Sequence, residues 1–303
     1  MQLSRRRFIN AAAAGMGAML LNGRFVEAAP AVAGFHDPYE RVTLGNTGIN
    51  TTRLCLGTGI RGGNRQTNLT RLGYEPSVKF IRDLYDRGIR MFDLADLYGT
   101  HAYVADALKT YPRRDYVIIS KIWFLPRALP EAERADAETL VARFCRELQT
   151  DYIDIVQLHC VMSGDWNTEL SDYMTSLSKL KQKGIIRAHG LSCHALPAIK
   201  TAVNEPWVDT IHVRINAYGA RMDDTLENVE PVVKQVHKAG KSVIGMKILG
   251  EGDLVKSDEQ KDNCFRYILH LGAVDIVNIG MDKYSDVIDT ENRIRKVPMK
   301  LNF

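Results

Sequence analysis

The chain has 303 residues, of which 45% are hydrophobic, 25% charged and 8% aromatic, and this composition excludes a disordered or fibrous protein. Residues 1–31 hold four arginines against one glutamate, and the rest of the chain has 36 basic against 35 acidic residues. A balance so close to neutral gives no electrostatic reason to expect a nucleic acid or an anionic membrane as a partner.

The amino-terminal segment has the order of an export signal: basic, then apolar, then small residues. Ser4-Arg5-Arg6-Arg7-Phe8-Ile9 precedes eleven uncharged residues, 11–21, and small residues follow to Ala33. An apolar run of this length is shorter than the roughly 20 residues that span a bilayer, and it lacks the polar face of an amphipathic helix. The segment resembles a twin-arginine signal, which implies the twin-arginine translocase as a partner, export to the periplasm and no stable membrane span. We assign residues 1–33 to this signal and a short linker, with cleavage after Ala28 or Ala31.

From Arg41 onward, short apolar runs rich in β-branched residues alternate with helical stretches, and eight such pairs can be counted. The predicted strands are Arg53–Gly57, Arg90–Leu94, Tyr116–Ile122, Tyr152–Leu158, Arg187–Ser192, Thr210–Ile215, Ser242–Ile248 and Val274–Ile279. The predicted helices are Ser77–Arg87, Tyr103–Thr110, Ala132–Leu148, Leu170–Lys183, Leu196–Val203, Val229–Ala239, Gln260–Leu271 and Tyr284–Arg295.

Glycines stand where four of these helices end, at Gly88, Gly184, Gly240 and Gly272. A helix often ends on a residue in the left-handed conformation, which glycine adopts without strain. Eight βα units over residues 41–298, with no linker rich in Pro, Ser or Gly between them, predict one (β/α)₈ barrel domain over residues 34–303.

Four polar residues lie at or near the ends of neighbouring predicted strands. Asp93 ends the second strand, Lys121 lies at the end of the third, His159 follows the fourth, and Tyr98 lies five residues beyond Asp93. Each taken alone has a structural explanation as a cap, a solvated charge or a packed ring. Because parallel strands end on one rim about 4.8 Å apart, we expect the four to lie within mutual reach.

Together these residues have the chemistry to protonate an oxyanion. A buried lysine needs a carboxylate beside it, which Asp93 provides. We expect the charge of Lys121 to lower the pKa of Tyr98 and make it the proton donor. His159 would donate a hydrogen bond to a carbonyl oxygen and hold it near the tyrosine hydroxyl.

These motifs resemble the aldo-keto reductase family. The resemblance runs from Thr43-Leu44-Gly45-Asn46-Thr47-Gly48 and Leu54-Cys55-Leu56-Gly57-Thr58-Gly59 to the last helix. It implies that Tyr98 is the general acid/base, that Lys121 and Asp93 tune it, and that His159 orients the substrate carbonyl. The function implied is hydride transfer between a nicotinamide cofactor and a carbonyl or alcohol substrate: an aldehyde, a ketone or a sugar.

The resemblance also implies where the nicotinamide cofactor binds, across the carboxyl-terminal rim of the barrel. The matching residues are Gly57, Thr58, Gly59, Asp93, Ser192, Cys193, His212, Met246, Lys247, Leu249, Met281 and Asn292. Cys193 stands where the family often has asparagine, His212 where it often has glutamine, and Met246 where an aromatic ring often stacks on the nicotinamide. A methionine sulfur is polarizable enough to cover a ring, so the substitution is compatible with binding.

The family often places a basic pair on the 2′-phosphate of the cofactor, and here Lys283 and Arg293 lie in that stretch. We therefore expect NADP(H), with NAD(H) possible. Trp123, Phe124 and Trp166 are expected to form an apolar or sugar-stacking wall for the substrate. Since the sequence ends at Phe303, soon after the last helix, we expect no long loop over the substrate.

Two other functions have partial support in the sequence. Gly57-Thr58-Gly59-Ile60-Arg61-Gly62 satisfies the dinucleotide fingerprint, but the first good helix starts near Ser77 and Asp93 is 31 residues past Gly62, so the spacing of that fingerprint fails. His159-Cys160 and Cys193-His194 suggest a metal-dependent barrel hydrolase, but the first strand offers no His-x-His pair. The five cysteines never form CxxC, and we expect buried thiols and no metal site.

Export and the predicted chemistry together suggest a further possibility. An enzyme outside the cytoplasm meets no pool of reduced nicotinamide, whereas a protein exported already folded could carry its cofactor along. The alternative function is therefore sugar chemistry without net redox change, on a tightly retained dinucleotide.

Overall fold

Eight parallel strands close into a barrel in the computed structural model, which describes residues 34–299. The predicted export signal and linker lie outside the described residues. A hairpin, β1 and β2, precedes the barrel, whose strands β3–β10 pair in chain order with β10 closing on β3. The strands are Arg41–Thr43, Asn50–Thr52, Leu54–Gly57, Met91–Asp93, Val117–Ile122, Ile153–Val161, Ile186–Cys193, Thr210–Arg214, Ser242–Met246 and Ile276–Gly280. The predicted single-domain (β/α)₈ fold is confirmed.

Helices alternate with the strands and surround the barrel. In chain order α1–α10 are Asn68–Arg71, Tyr74–Arg87, His101–Leu108, Ala137–Leu148, Trp166–Glu169, Ser171–Gln182, Leu196–Asn204, Leu226–Lys238, Asp258–His270 and Tyr284–Ile294. The four glycines predicted at helix ends all have positive φ, from 70° to 127°. No helix among the described residues has the length and hydropathy that a membrane crossing requires.

One helix begins later than its sequence pattern predicts. α4 starts at Ala137 because Asp136 caps it, accepting a hydrogen bond from the Thr139 N–H at 2.9 Å. Residues 131–133, which the pattern assigns to the same helix, form a separate 3₁₀ turn. The cap side chain therefore sets the boundary, and the apolar periodicity does not.

The floor of the barrel is apolar and is closed by the hairpin, which the sequence analysis did not predict. Leu44 and Ile49 of the hairpin turn have no exposed surface and pack against the lowest inward residues of the strands: Cys55, Met91, Val117, Ile119, Ile155, Ala188, Ile244 and Ile276. Gly45 has φ +47°, and a Cβ there would lie 2.5 Å from the Gly240 carbonyl oxygen, so this turn needs glycine.

Strand alternation places polar residues directly above this floor, because inward side chains recur every second residue. Asp93, Lys121, Gln157 and Asn278 each come two residues after a floor residue, and all are buried. A third layer follows at the carboxyl-terminal mouth. The candidate site therefore occupies the upper two layers of an otherwise apolar barrel.

Candidate active site

The four polar residues that the sequence singled out lie together at the carboxyl-terminal mouth. Asp93 ends β4, Lys121 lies in β5 and His159 in β6, and these three strands are adjacent. Tyr98 is the last residue of a one-turn 3₁₀ helix, Asp96–Tyr98, that follows β4. The structure thus brings together all four residues of the predicted tetrad.

Lys121 is almost fully buried and its ammonium group is bound from two sides. It forms a hydrogen-bonded ion pair with Asp93, and it donates to the Leu94 carbonyl oxygen at 2.9 Å. Burial acts to raise the pKa of the Asp93 carboxyl, but the charge of Lys121 and the neighbouring His212 outweigh it and hold this pKa well below the usual range. The Asp93 carboxyl is therefore ionised at neutral pH.

The Tyr98 ring is held between the loop after β3 and Lys121. A Cβ on Gly59 would lie 2.6 Å from Tyr98 Cε2, and one on Gly62 would lie 3.0 Å from Tyr98 Cδ1. On the other side, Lys121 Nζ lies 5.1 Å from the ring centroid. Two glycines of the Gly57–Gly62 stretch thus make room for the tyrosine ring, a role that the sequence analysis did not assign to them.

The pKa of Tyr98 is shifted in the direction opposite to the one the sequence suggested. Burial raises this pKa well above its ordinary value, and the negative charge of Asp93 raises it further. Lys121 does not reverse the effect because its charge is paired with Asp93. Tyr98 therefore keeps its phenolic proton at neutral pH.

His159 faces the tyrosine across the mouth. Its Nε2 lies 3.5 Å from the Tyr98 hydroxyl oxygen, and the two rings meet edge to face with centroids 5.5 Å apart. Burial lowers the pKa of His159 well below its usual value, and the charge of Lys121 adds to the effect, so the ring is neutral. Nδ1 has no hydrogen-bond partner among the described residues. A carbonyl oxygen between Tyr98 and His159 could accept hydrogen bonds from both.

Beneath the tetrad lies a buried hydrogen-bond chain. Asn278 Nδ2 donates to Asp93 Oδ2 at 2.8 Å, and His212 Nε2 lies 3.5 Å from Asp93 Oδ1. His212 Nδ1 lies 2.7 Å from Gln157 Oε1, and Gln157 Nε2 donates to Thr210 Oγ1 at 2.9 Å. The sequence analysis missed Gln157 and Asn278, although period-two counting from the neighbouring apolar residues would have pointed both of them inward.

Several residues expected to hold the cofactor are engaged by the protein itself. Thr58 is buried and its hydroxyl donates to the Asp93 carbonyl oxygen at 2.9 Å. A Cβ on Gly57 would lie 2.7 Å from Asn278 Oδ1, so that glycine admits the amide. His212 is fully buried in the chain below the mouth, and Cys193 packs in the core cluster that includes residues of the surrounding helices.

Ser192, Met246 and Leu249 remain available at the mouth, whereas Lys247 forms an ion pair with Glu251. Ser192 Oγ is buried and has no hydrogen-bond partner among the described residues, and Met246, Lys247 and Leu249 are half-buried. Burial, together with Arg214 and Arg221, lowers the pKa of Lys247 to about 8. An unpartnered hydroxyl beside half-buried apolar side chains fits the amide and ring of a nicotinamide.

The stretch expected to bind the 2′-phosphate offers less than the sequence suggested. Met281 is buried, whereas Asn292 and Lys283 are exposed. Arg293 is buried, and its guanidinium forms ion pairs with three aspartates, Asp258, Asp262 and Asp289, at 2.5 to 2.8 Å. Arg293 is therefore not free to bind a phosphate, and Lys283 is the remaining cation of the expected pair.

The aromatic residues expected at the substrate separate into different environments. Trp123 packs edge to face on His159, with centroids 5.3 Å apart. Phe124 is half-buried and lines a cavity of about 360 Å³ between the loops after β5 and β6, and Trp166 forms the base of the same cavity. Trp166 itself has no exposed surface and its indole donates to the Ala198 carbonyl oxygen at 3.2 Å. A larger cavity, of about 700 Å³, lies between α4 and α6 and contains none of the predicted site residues.

The sequence analysis did not predict the ion pair between Arg214 and Asp223. Arg214 follows His212 by two residues on β8 and is in register with Met246 of β9. Its Nε donates to Asp223 Oδ1 at 2.6 Å and its Nη2 to the His194 carbonyl oxygen at 2.8 Å. Period-two counting from His212 would have pointed Arg214 inward.

No group of three or more His, Cys, Asp or Glu side chains within residues 34–299 is arranged to hold a metal ion. The five cysteines are free thiols, three of them buried and two half-buried. The ligand set that a metal-dependent hydrolase needs is therefore missing from this part of the chain.

Comparisons with known proteins agree on one family. The model of the family described as "Aldo/keto reductase family" matches residues 53–277. An aldo-keto reductase of Bacillus subtilis (strain 168) is 28% identical over 194 residues, which are 62% of this chain and 57% of that protein. The NADH-specific methylglyoxal reductase of Escherichia coli (strain K12) is 26% identical over 207 residues, 62% of either chain. The chain thus spans about three fifths of the length of these curated relatives.

Solved structures share the fold. The holo form of an aldo-keto reductase from Bacillus halodurans superimposes with a TM-score of 0.69 at 21% identity, covering 86% of this chain and 93% of that one. An aldo-keto reductase from Klebsiella pneumoniae, solved in complex with NADPH, gives a TM-score of 0.62 at 17% identity, covering 86% and 90%. At these identities the likeness concerns the barrel.

Proposed function

The chain belongs to the aldo/keto reductase family, and on that premise we propose that it is a nicotinamide-dependent oxidoreductase acting on the carbonyl group of a small aldehyde, ketone or sugar. The observation that carries the proposal is the approach of Tyr98 to His159 above a charged Lys121–Asp93 pair. A protonated phenol, a neutral imidazole and a buried cation, converging on one mouth, are suited to an oxygen that gains negative charge.

Each of the four residues has a separate role in the proposed reaction. His159 orients the substrate by donating a hydrogen bond to the carbonyl oxygen, and Tyr98 gives its phenolic proton to that oxygen as charge develops. Lys121 supplies a fixed positive charge next to the tyrosine, and Asp93 holds it in place. Ser192, Met246 and Leu249 would hold the nicotinamide cofactor, which when bound supplies a hydride for the carbonyl carbon.

Purified protein tests this function directly. We expect quenching of protein fluorescence on titration with NADPH or NADH, and oxidation of the reduced cofactor when an aldehyde, ketone or sugar is added. A metal-dependent hydrolase would instead lose activity with a chelator and regain it with Zn²⁺. Absence of cofactor binding and of turnover across a broad carbonyl panel would overturn the proposal.

Between the two cofactors we propose NADP(H), with NAD(H) as the second candidate. Lys283 supports NADP(H) because it is exposed at the amino end of α10, where a phosphate could reach it. With Arg293 paired to aspartates, the preference rests on one cation and is correspondingly small.

We also propose that residues 1–33 direct twin-arginine export to the periplasm. The support is the Ser4-Arg5-Arg6-Arg7-Phe8 motif followed by a short apolar run. Fractionation of cells that express the full chain tests it. The protein should appear in the periplasm, and replacing Arg5 and Arg6 by lysine should retain it inside. Equal periplasmic yield for both chains would contradict twin-arginine export.

The alternative function, chemistry without net redox change on a retained cofactor, is favoured by the same motif. If the exported enzyme carries its cofactor, denaturing protein recovered from the periplasm should release close to one dinucleotide per chain. Release of less than about a tenth of a dinucleotide per chain, with a micromolar or weaker dissociation constant when the cofactor is added back, would exclude the retained cofactor and favour an ordinary reductase.

A further inference from the structure

Behind Tyr98 lies a buried carboxylate held by two arginines. Asp96 starts the 3₁₀ turn that Tyr98 ends, and its side chain is 1% exposed. Arg143 of α4 binds it with both terminal nitrogens, Nη1 to Oδ1 at 3.0 Å and Nη2 to Oδ2 at 2.6 Å. Arg65, from the loop after β3, donates to Oδ1 from Nε at 3.2 Å and from Nη2 at 3.0 Å. We call these three residues the turn clamp.

The turn clamp also fixes the backbone on which Tyr98 is carried. The Arg65 N–H donates to the Leu97 carbonyl oxygen at 2.9 Å. Gly99, directly after Tyr98, has φ +67°, and a Cβ there would lie 2.8 Å from Arg65 Cβ, so the two segments are in close contact. Residues on both sides of the tyrosine are therefore tied to Arg65, and Asp96 is tied to α4 as well.

A second link joins the turn clamp to the strand that carries Lys121. Arg143 Nη1 also binds Glu147 Oε1 at 3.1 Å, and Glu147 Oε2 lies 2.6 Å from His101 Nδ1. His101 Nε2 lies 2.8 Å from Ser120 Oγ, and Ser120 directly precedes Lys121 in β5. One hydrogen-bonded chain thus runs behind both the proton donor and the lysine beside it.

We propose that Asp96 and Arg143 are positioning residues, which set the distance of the Tyr98 hydroxyl from the reacting oxygen. The inference rests on the proposed function, in which Tyr98 donates the proton. Among residues 34–299 the only hydrogen-bond contact of the hydroxyl is the 3.5 Å approach to His159, so the location of its turn decides where the proton is delivered. A displacement of about 1 Å at a reacting group costs on the order of a hundredfold in rate.

The same fold contains a matched control at the other end of the barrel. Asp154, the second residue of strand β6, has no exposed surface and is also held by two arginines, Arg113 Nη2 at 2.6 Å and Arg187 Nη1 at 2.6 Å. It directly precedes the floor residue Ile155 and lies five residues before His159 in the strand. Removing Arg187 therefore also takes an ion-pair partner from a buried carboxylate, but does so without touching the Tyr98 turn.

The test compares Arg143→Met with Arg187→Met, and Arg143→Lys serves as the conservative variant. Each chain is first checked for folding by circular dichroism and for cofactor binding by fluorescence. We expect Arg143→Met to lower kcat at least tenfold with substrate KM and cofactor affinity within threefold of the parent chain, and Arg143→Lys to recover part of kcat. Arg187→Met should stay within twofold of the parent in kcat.

Hydrogen exchange read by mass spectrometry provides an independent readout that does not need turnover. Amides of residues 94–99 should exchange at least tenfold faster in Arg143→Met and at the parent rate in Arg187→Met. If the parent chain reduces no carbonyl, the proposed function fails, and hydrogen exchange alone tests whether Arg143 holds the Tyr98 turn. Unchanged exchange of residues 94–99 in Arg143→Met would then overturn the turn clamp. With an active parent, a kcat within twofold for both Arg143 variants, or an equal loss in Arg187→Met, would also overturn it.

Discussion

Lys121 gives its hydrogen bonds to Asp93 and to a backbone carbonyl, and none to Tyr98, although its ammonium nitrogen lies 5.1 Å from the tyrosine ring centroid. The lysine therefore acts on the tyrosine through its field, and that field is largely cancelled by the carboxylate. In addition to the larger effect of burial, the two charges act on the pKa of Tyr98 as a dipole, so replacing one partner should shift this pKa in the opposite direction from replacing the other.

Opposite pH shifts are thus expected from two variants of this pair. Asp93→Asn removes a charge that raises the pKa of Tyr98, and it leaves Lys121 without its carboxylate. The fall of kcat/KM for carbonyl reduction at alkaline pH should therefore begin at a lower pH. Lys121→Met leaves Asp93 alone, so the same fall should begin at a higher pH or leave the measurable range. The measurement is kcat/KM between pH 6 and 11, and shifts of one sign in both variants would contradict the dipole account.

Tyr98→Phe should abolish proton donation while preserving the ring. Because the ring still fills the space beside Gly59, we expect cofactor affinity to stay near that of the parent and carbonyl reduction to fall by two orders of magnitude or more. Tyr74→Phe, at a hydroxyl bound to Asp106 on the outer helices, is the control and should retain full turnover. Near-normal turnover of Tyr98→Phe would remove Tyr98 from the proposed role.

Gly59→Ala tests whether the glycine-rich loop serves the tyrosine. The new methyl group would lie 2.6 Å from Tyr98 Cε2, so the ring or the loop must move, and kcat should fall by about tenfold or more. Gly63→Ala is the matched control, because a Cβ there meets no atom within 4 Å. Steady-state kinetics of the two variants checks this, and equal activities would place Tyr98 and the loop in looser contact than the structure shows.

Acid should destabilise the fold through its buried histidines. Burial lowers the pKa of His189 to about 4, and burial with Arg214 and Lys247 lowers the pKa of His194 to about 3. Between pH 6.5 and 4 the unfolded chain then binds more protons than the folded chain, so the free energy of unfolding falls as pH falls. From pH 7 to pH 5 we expect a loss of about 1–2 kcal/mol per histidine in urea unfolding.

Two single variants check the sign of that pH dependence. His194→Gln should flatten the loss between pH 7 and pH 5. His237→Gln should steepen it, because a hydrogen bond to Asp275 raises the pKa of His237 and gives that residue the opposite sign. Identical slopes for both variants would show that other groups govern acid unfolding.

The cofactor preference should be small. With Arg293 bound by three aspartates, Lys283 is the cation of the expected pair that is left to bind a 2′-phosphate. A charge-assisted contact contributes about 1.5–3 kcal/mol, and an exposed lysine should give the lower end of that range. We expect dissociation constants for NADPH and NADH within about tenfold of each other. Lys283→Ala should weaken NADPH alone, whereas Lys296→Ala, at the far end of α10, should change neither. A thousandfold preference for NADPH would mean that other cations bind the phosphate.

Much of the fold could be predicted because it follows from local patterns. Apolar runs separated by helical periods, with glycines at helix ends, are properties of short segments, and eight of them in succession specify a closed parallel barrel. The hairpin at the floor was missed because its strands have three residues each, too few to show a period. Its turn is buried only because the barrel above it presents an apolar floor.

The sequence by itself determined that Asp93, Tyr98, Lys121 and His159 would meet, since parallel strands deliver their carboxyl ends to one rim. Only the tertiary structure decided how they act on each other. Burial outweighs the lysine in setting the pKa of Tyr98, and Arg293 is ion-paired with two aspartates of α9 and one of its own helix. Likewise Asp96 forms its ion pair with Arg143, 47 residues further along the chain, because α4 packs behind the Tyr98 turn. Desolvation and ion pairing depend on which groups surround a side chain in space, and those neighbours come from segments that no local pattern connects.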